Sequence, residues 1–361
     1  MLISRRAPSL AAVPIVQIPV PDVAGPCADT PERAPVSARR TSHVDVNRGG
    51  DRWGGEAVIT GTARDVFTLR SGEPVVADAT LTIRVDGPSG AVVAITSDPP
   101  VPELQALIGV PMLVGFRRAM TRAAASEAEG ATRLHRLLDD APLAFLVSGH
   151  AMLLDDELGP RAPEGEGEGA APAGAGRRGG LRTVDLCAGW QQGGALLQIL
   201  DETGGIPHSL GPLAPTLGSP DDPWAWHERP PLAPKVTRRT RRLDVVPVQE
   251  EGVARLDVHF RDSYGDLEGR ERSVHEYTLT GEVELATEQI RAAAAVPRAL
   301  PWTECPQAAG SASRLVGLEL RQLPDLVRKE MTGITTCTHL NDTMRSLADA
   351  SALLATVRRH G

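Results

Sequence analysis

The segment Thr335-Thr336-Cys337-Thr338-His339-Leu340-Asn341-Asp342 sets a thiol and an imidazole two residues apart at what reads as the start of a helix. Leu340, Met344, Leu347, Ser351 and Leu354 recur at three- and four-residue steps, which predicts one helical stripe, with Thr338 as its N-cap and Asp342 in its first turn. Cys337 then lies where free backbone N–H groups and the positive end of the helix dipole favour a thiolate and disfavour an imidazolium. A metal ligand and a nucleophile both need that state. Two further soft groups belong to the same half of the chain. His275 shares a strand face with Tyr277 and Leu279, where a polar ring must find a partner. Cys305, in Trp302-Thr303-Glu304-Cys305-Pro306, follows the last strand of that half. His275, Cys305, Cys337 and His339 form a sufficient tetrahedral set for zinc, and sulfur-rich sites also suit iron. Asp262 is the carboxylate to orient a ligand or move a proton. If the site is catalytic, Cys337, His339 and Asp262 carry the chemistry. No Cys-x-x-Cys occurs, so the spacing is not that of a zinc finger. The plainer readings are that Cys305 and Cys337 are small buried hydrophobes and His275 a hydrogen-bonded core residue.

The elements that must carry these residues follow from periodicity. Ala254, Leu256, Val258 and Phe260 alternate with Arg255, Asp257 and His259, as in a half-buried strand. A second strand puts His275, Tyr277, Leu279, Gly281, Val283 and Leu285 on one face. The front of the chain repeats this with Val75, Ala77, Ala79, Leu81, Ile83 and Val85, after which Asp86-Gly87-Pro88-Ser89-Gly90 turns into Ala91. Short strands joined by turns and followed by helices predict an α+β class, with an antiparallel sheet covered on one face by helices.

The two halves resemble each other in ordered landmarks. Val44-Asp45-Val46 matches Leu243-Asp244-Val245, Arg64-Asp65 matches Arg261-Asp262, Ala77 falls opposite His275, and Leu134-His135 falls opposite Thr338-His339. These correspondences point to a tandem duplication, an intramolecular pseudo-dimer whose first copy keeps only His135 of the candidate set. The expected layout is a disordered lead-in over 1–40, a diverged first copy over 41–157, a flexible Gly/Pro/Glu-rich linker over 158–181, a connecting segment over 182–234, and the second copy with the site over 235–361. The connecting segment contains Trp190, Trp224 and Trp226 and is expected to pack across the second copy as a wall. The Arg238-Arg239-Thr240-Arg241-Arg242 run reads as a solvated guard on an edge strand, with anion binding as the alternative.

Composition bounds the rest. With 38 Lys and Arg against 46 Asp and Glu, a net charge of −8 speaks against nucleic acid as a partner. Pro14, Pro19 and Pro21 interrupt the apolar run behind Arg5 and Arg6, and no apolar stretch of about 18 residues exists, so neither export nor a membrane span is expected. Four scattered cysteines are no disulfide framework, and a reducing cytoplasm is expected.

The order Asp262, His275, Cys305, Gly317, Cys337, His339, Leu340 over about residues 238–358 resembles a bacterial family known as domain of unknown function 2889. Thr336 stands where that family usually has Gly. The resemblance implies a shared domain and brings no established activity. A more distant likeness, to the iron–sulfur scaffold fold, implies only a small sheet followed by helices with a Cys near a His opening the last one. The expected function is a metal-binding protein or metal-dependent enzyme acting on a small-molecule ligand. The alternatives are a cysteine-nucleophile enzyme on an acyl or carbonyl substrate and a non-catalytic interaction module.

Overall fold

A computed structural model of the protein describes residues 21–49, 55–152, 184–203 and 209–360. Its eight strands are β1 (Ser37–Asn47), β2 (Glu56–Thr68), β3 (Pro74–Asp86), β4 (Val92–Asp98), β5 (Thr237–Val248), β6 (Val253–Gly265), β7 (Glu271–Glu284) and β8 (Ile290–Ala299). They form one antiparallel sheet in the order β4-β3-β2-β1-β5-β6-β7-β8, so the α+β class stands. Each half is a four-strand meander, and the two meet where β1 pairs with β5 from Ala38↔Val245 to Val46↔Thr237. The order is symmetric about that seam.

Helices follow each set of strands. In front they are α1 (Phe116–Ala123), α2 (Ala125–Glu129) and α3 (Arg133–Met152); behind they are α5 (Leu323–Glu330), α6 (Thr338–Ser346) and α7 (Asp349–His360), with α4 (Ala195–Thr203) between the halves. The alternation read from sequence holds. Leu256, Val258, Phe260, Tyr277, Leu279 and Val283 are buried together beneath Leu340, Met344, Leu347 and Leu354, while Leu81, Ile83 and Val85 are buried with Phe116, Leu137 and Leu138. Val75, near the start of β3, is exposed instead. The predicted last helix is two. Its apolar stripe is buried throughout, but α6 ends at Ser346 and Asp349 opens α7, where its carboxylate meets Arg40. No helix among the described residues is long and apolar enough to cross a membrane.

Other expectations fail for one physical reason: the centre of the sheet is covered on both faces, and the cover is polar. Ser37 to Arg40, assigned to the lead-in, begin β1 and are buried, and Arg33 before them holds both Asp222 oxygens at 2.8 and 2.9 Å. The Arg238–Arg242 run lies in the central strand β5, not on an edge, and all four arginines are buried on aspartates. The linker over 158–181 falls outside the described residues.

On the face away from the helices, Arg39 bonds Asp244 and Arg238 bonds Asp45, each pair being direct neighbours in the β1–β5 register. Residues 209–234 cross this face and bring His227 onto β1. His227 Nε2 lies 2.6 Å from His43 Nδ1, and its Nδ1 lies 2.8 Å from Thr41 Oγ1. The helix face carries a second set of ions. Arg40 bonds Asp65 and Asp349, Arg239 bonds Asp262 and Asp342, Arg241 bonds Asp140 and Asp342, and Arg345 reaches from α6 to Asp139 on α3. Burial pushes the Asp342 carboxyl up, but Arg117, Arg241, Arg239 and Arg345 together hold it below the usual carboxylate range.

Taking these ions from water is costly, and removing one partner strands the other. Asp342→Ala is expected to cost about 3–5 kcal/mol in urea unfolding, because Arg239 and Arg241 would keep their charges without it. A loss below about 0.5 kcal/mol, typical of a neutral surface site, would contradict the lattice. Acid should act through the histidines. Burial pushes His43 down to about 4, Asp45 opposing and Arg238 and Arg229 assisting, and His259 is likewise pushed to about 4, chiefly by burial. The unfolded chain takes up protons near pH 6.5 that the folded chain refuses, so this stabilisation is complete above pH 6.5 and is lost as the pH falls toward 4. The urea midpoint should be flat from pH 7 to 8 and drop steadily below 6.5.

Candidate metal centre

The β6–β7 ladder sets Asp262 opposite His275, and the register shifts immediately after Asp262. Both side chains therefore stand on the helix-facing side at the end of the regular ladder, in line with Phe260 and Tyr277. The third group arrives from α6. Cys337, in extended backbone, is the N-cap in place of the predicted Thr338, and one residue into the helix His339 lies over the sheet.

The two imidazoles stack with centroids 3.5 Å apart and planes 16° from parallel. Asp262 Oδ2 lies 3.5 Å from His275 Nδ1 and 3.9 Å from His339 Nε2. All three donor atoms fall within 4.8 Å of one another. Asp262 is locked from behind by Arg239, whose Nε and Nη2 bond its two oxygens at 2.8 and 2.9 Å. Each oxygen keeps a second lone pair.

Charge states suit ligation. Burial raises the Asp262 carboxyl, yet Arg239 and the His275 contact hold it below the usual range, so it is ionised. Burial, and next to it His275, pushes His339 well down, so that ring is neutral. His275 Nδ1 is buried, and its contact with Asp262 Oδ2, at 3.5 Å, is too long for a well-formed hydrogen bond. The His275 and His339 side chains are 12% and 17% exposed against 1% for Asp262, so the open side of the group faces outward.

The expected four-residue set is only partly brought together. His275 and His339 meet, and Asp262, expected to support them, supplies the third donor. Cys337 Sγ sits 4.0 Å from the other His339 nitrogen, Nδ1, turned away from the carboxylate. Cys305 opens a 3-10 segment (Cys305–Leu315) and packs in the apolar core with Ala188 and Trp302. Gly189 passes so close that a Cβ there would come within 2.8 Å of Cys305 Sγ. The thiolate expected of Cys337 is also overturned. Burial raises the thiol, and the pull of the Tyr277 hydroxyl and of the helix N–H groups of Leu340 and His339 does not offset it. Burial likewise pushes Cys305 well up.

Arg239 was missed as a site residue because a run of arginines reads as surface until β5 is known to be central. Cys187 was missed too. It is buried beside Thr338, and the neighbouring Ala188 amide bonds Thr336 at 2.9 Å, so part of the connecting segment does wall this corner. Trp190 packs at the edge of the same core, whereas Trp226 lies on the opposite face of the sheet, edge-on to His259. Thr336 fits the turn by donating its hydroxyl to the Gly333 carbonyl at 2.8 Å.

The front half offers an internal comparison. Arg40 grips Asp65 at 2.7 and 2.8 Å, as Arg239 grips Asp262. The residue opposite Asp65 is Ala77, and Arg133 fills the remaining place, with Nη1 3.1 Å from Asp65 Oδ2. Where the back half turns two imidazole rings toward its aspartate, the front half has a second guanidinium. His135 is not at Asp65; its Nδ1 is buried without a partner near Asp139 and Arg136.

Fold and site together define the back half as an α+β domain with a compact carboxylate–imidazole group under its penultimate helix. Residues 237–353, from the start of β5 into α7, match the family model described as Protein of unknown function (DUF2889), so all of this group lies within that family's domain. No curated protein and no solved structure matches the chain.

The burial of the thiols has a direct readout. Iodoacetamide at pH 7.5 should label Cys27, the one half-exposed cysteine, well before Cys305 or Cys337, both of which should react only on unfolding. Fast native labelling of Cys337 would reverse this assignment.

Proposed function

We propose that the back half binds one divalent transition-metal ion, zinc or iron, through Asp262 Oδ2, His275 and His339. The observation that carries this reading is the convergence of one carboxylate oxygen and two imidazole nitrogens within 4.8 Å, the carboxylate oxygen keeping a lone pair besides the one that Arg239 engages. Two histidines and a carboxylate are a donor set used by zinc and by non-haem iron(II). The contrast with Asp65 supports the reading, since there the same position is filled by the positive charge of Arg133. Three protein ligands leave coordination positions open, which is the pattern of a reactive rather than a purely structural site. Such an ion supplies Lewis acidity and an acidified water for hydrolytic or lyase-type chemistry on a small-molecule ligand. The chain's own contribution is the fixed orientation of the donors: Arg239 holds Asp262, and the stacked rings hold each other. The four free cysteines fit a reducing cytoplasm.

A cysteine nucleophile is the weaker reading, because the Cys337 thiol is buried and its acidity suppressed. The pseudo-dimer reading is favoured by the symmetric strand order and by the matched Arg40–Asp65 and Arg239–Asp262 pairs. It is compatible with a metal in one half only.

The test is cobalt(II) or zinc(II) titration of chelator-treated full-length protein. One equivalent should bind. His275→Ala and His339→Ala should each weaken binding by at least ~100-fold, more than the ~10–100-fold typical of residues that only orient a ligand, whereas Cys305→Ala should leave affinity within a few-fold of the parent. Absence of saturable binding, or equal affinity in all variants, rejects the site; loss of binding with Cys305→Ala restores the sulfur-containing set.

A further inference from the structure

Between the helices of the two halves lies a cleft of about 1730 Å³, walled by α1, the start of α3 and α5 to α7. Its lining does not include Asp262, His275 or His339, so it is a separate feature. In a chain of net charge −8, eight arginines line it against six acidic residues, so its local charge is opposite to that of the protein. The acids are largely committed. Asp139 and Asp342 are held by Arg117 and Arg345, Asp349 by Arg40, and Asp325 by Arg328; Asp185 accepts the Gln192 amide. Among the described residues, Glu129 is the exception.

The uncommitted charge is on the arginines. Arg118 and Arg122 are four residues apart on one face of α1, and Arg359 lies in the last turn of α7; all three are exposed and have no acidic partner among the described residues. In the floor, Arg136 is 4% exposed and its charge is met by Asp139, 2.8 Å from its Nη2, and by Asp349, 3.4 Å from its Nε, but its Nη1 has no hydrogen-bond partner among the described residues. Like-charged side chains at i and i+4 repel each other. Together with an unsatisfied buried guanidinium N–H, they make an arrangement that costs stability until an anion enters. Guanidinium groups match the paired oxygens of phosphate in their fork geometry, and a concave wall strengthens the field they project.

We propose that this cleft binds a small phosphorylated molecule, with Arg118, Arg122 and Arg359 engaging phosphate oxygens at the rim and Arg136 supplying an uncommitted N–H beneath them. A di- or triphosphate group suits three rim guanidiniums better than a single carboxylate does, because each can take its own pair of oxygens.

The probe is inorganic pyrophosphate, titrated calorimetrically into the full-length protein at about 0.15 M salt, where screening suppresses diffuse surface attraction. Saturable one-site binding is expected, at least tenfold weaker in Arg118→Ala/Arg122→Ala. Both residues are exposed and repel each other, so the urea midpoint of that variant should be no lower than the parent's. Arg314→Ala, outside the cleft, and His339→Ala should bind pyrophosphate as the parent does, which separates this site from the metal centre. Absence of saturable binding overturns the proposal. So does equal affinity in the double variant, or loss of binding in His339→Ala, which would assign the anion to the metal centre instead.

Discussion

The structure depends on buried guanidinium–carboxylate pairs along the β1–β5 seam. A hydrophobic seam would hold two sheets at any of several registers, since apolar contact has no direction. Here each charge must meet its opposite or remain stranded in a low dielectric, and Arg39 meets Asp244, Arg238 meets Asp45 and Arg241 meets Asp140 across the seam in the observed register. Net stability is not the main result of such pairing, because desolvation offsets most of the attraction. Its consequence is geometric: α6 and α7 of the back half are tied to α3 and β1 of the front half through Arg345–Asp139 and Arg40–Asp349. The two halves are thereby one body around a polar centre with an apolar core on either flank.

The candidate metal centre draws on the same lattice. Asp262 is ionised and immobile because Arg239 spans it and Asp342 at once, so the carboxylate facing the two imidazoles is oriented by a network that runs across the interface. The front half keeps the Arg40–Asp65 pair and its reach to the helices, but Arg133 completes the charge balance there. The seam needs the arginine–aspartate pair in both halves; nothing in the seam requires His275 or His339.

Two forces acted on Cys337 in opposite directions, and magnitude decided between them. A helix N-terminus is worth roughly 0.3–1 kcal/mol to a negative group, whereas desolvating an unpaired charge costs several kcal/mol. Under α6, against Tyr277 and the apolar core, the larger effect prevails and the thiol stays neutral. The exposed edge of the same corner belongs to the histidines.

The strand periodicity over Ala254–Phe260 and His275–Val283, the apolar stripe from Leu340 to Leu354 and the α+β class were all legible from the chain alone, because one apolar face against one polar face is a local pattern. So was the chemical promise of His275 and His339, each of which is unusual where it stands. The central strands were not legible. A segment such as Arg238–Arg242 has the composition of a surface, and only long-range pairing with Asp45, Asp140, Asp244, Asp262 and Asp342 makes it an interior. The choice of Asp262 over Cys305 as the group beside the two imidazoles was equally a tertiary decision. It rests on which residues the β6–β7 register and the helix start bring within a few ångströms, and spacing along the chain carries no information about that distance.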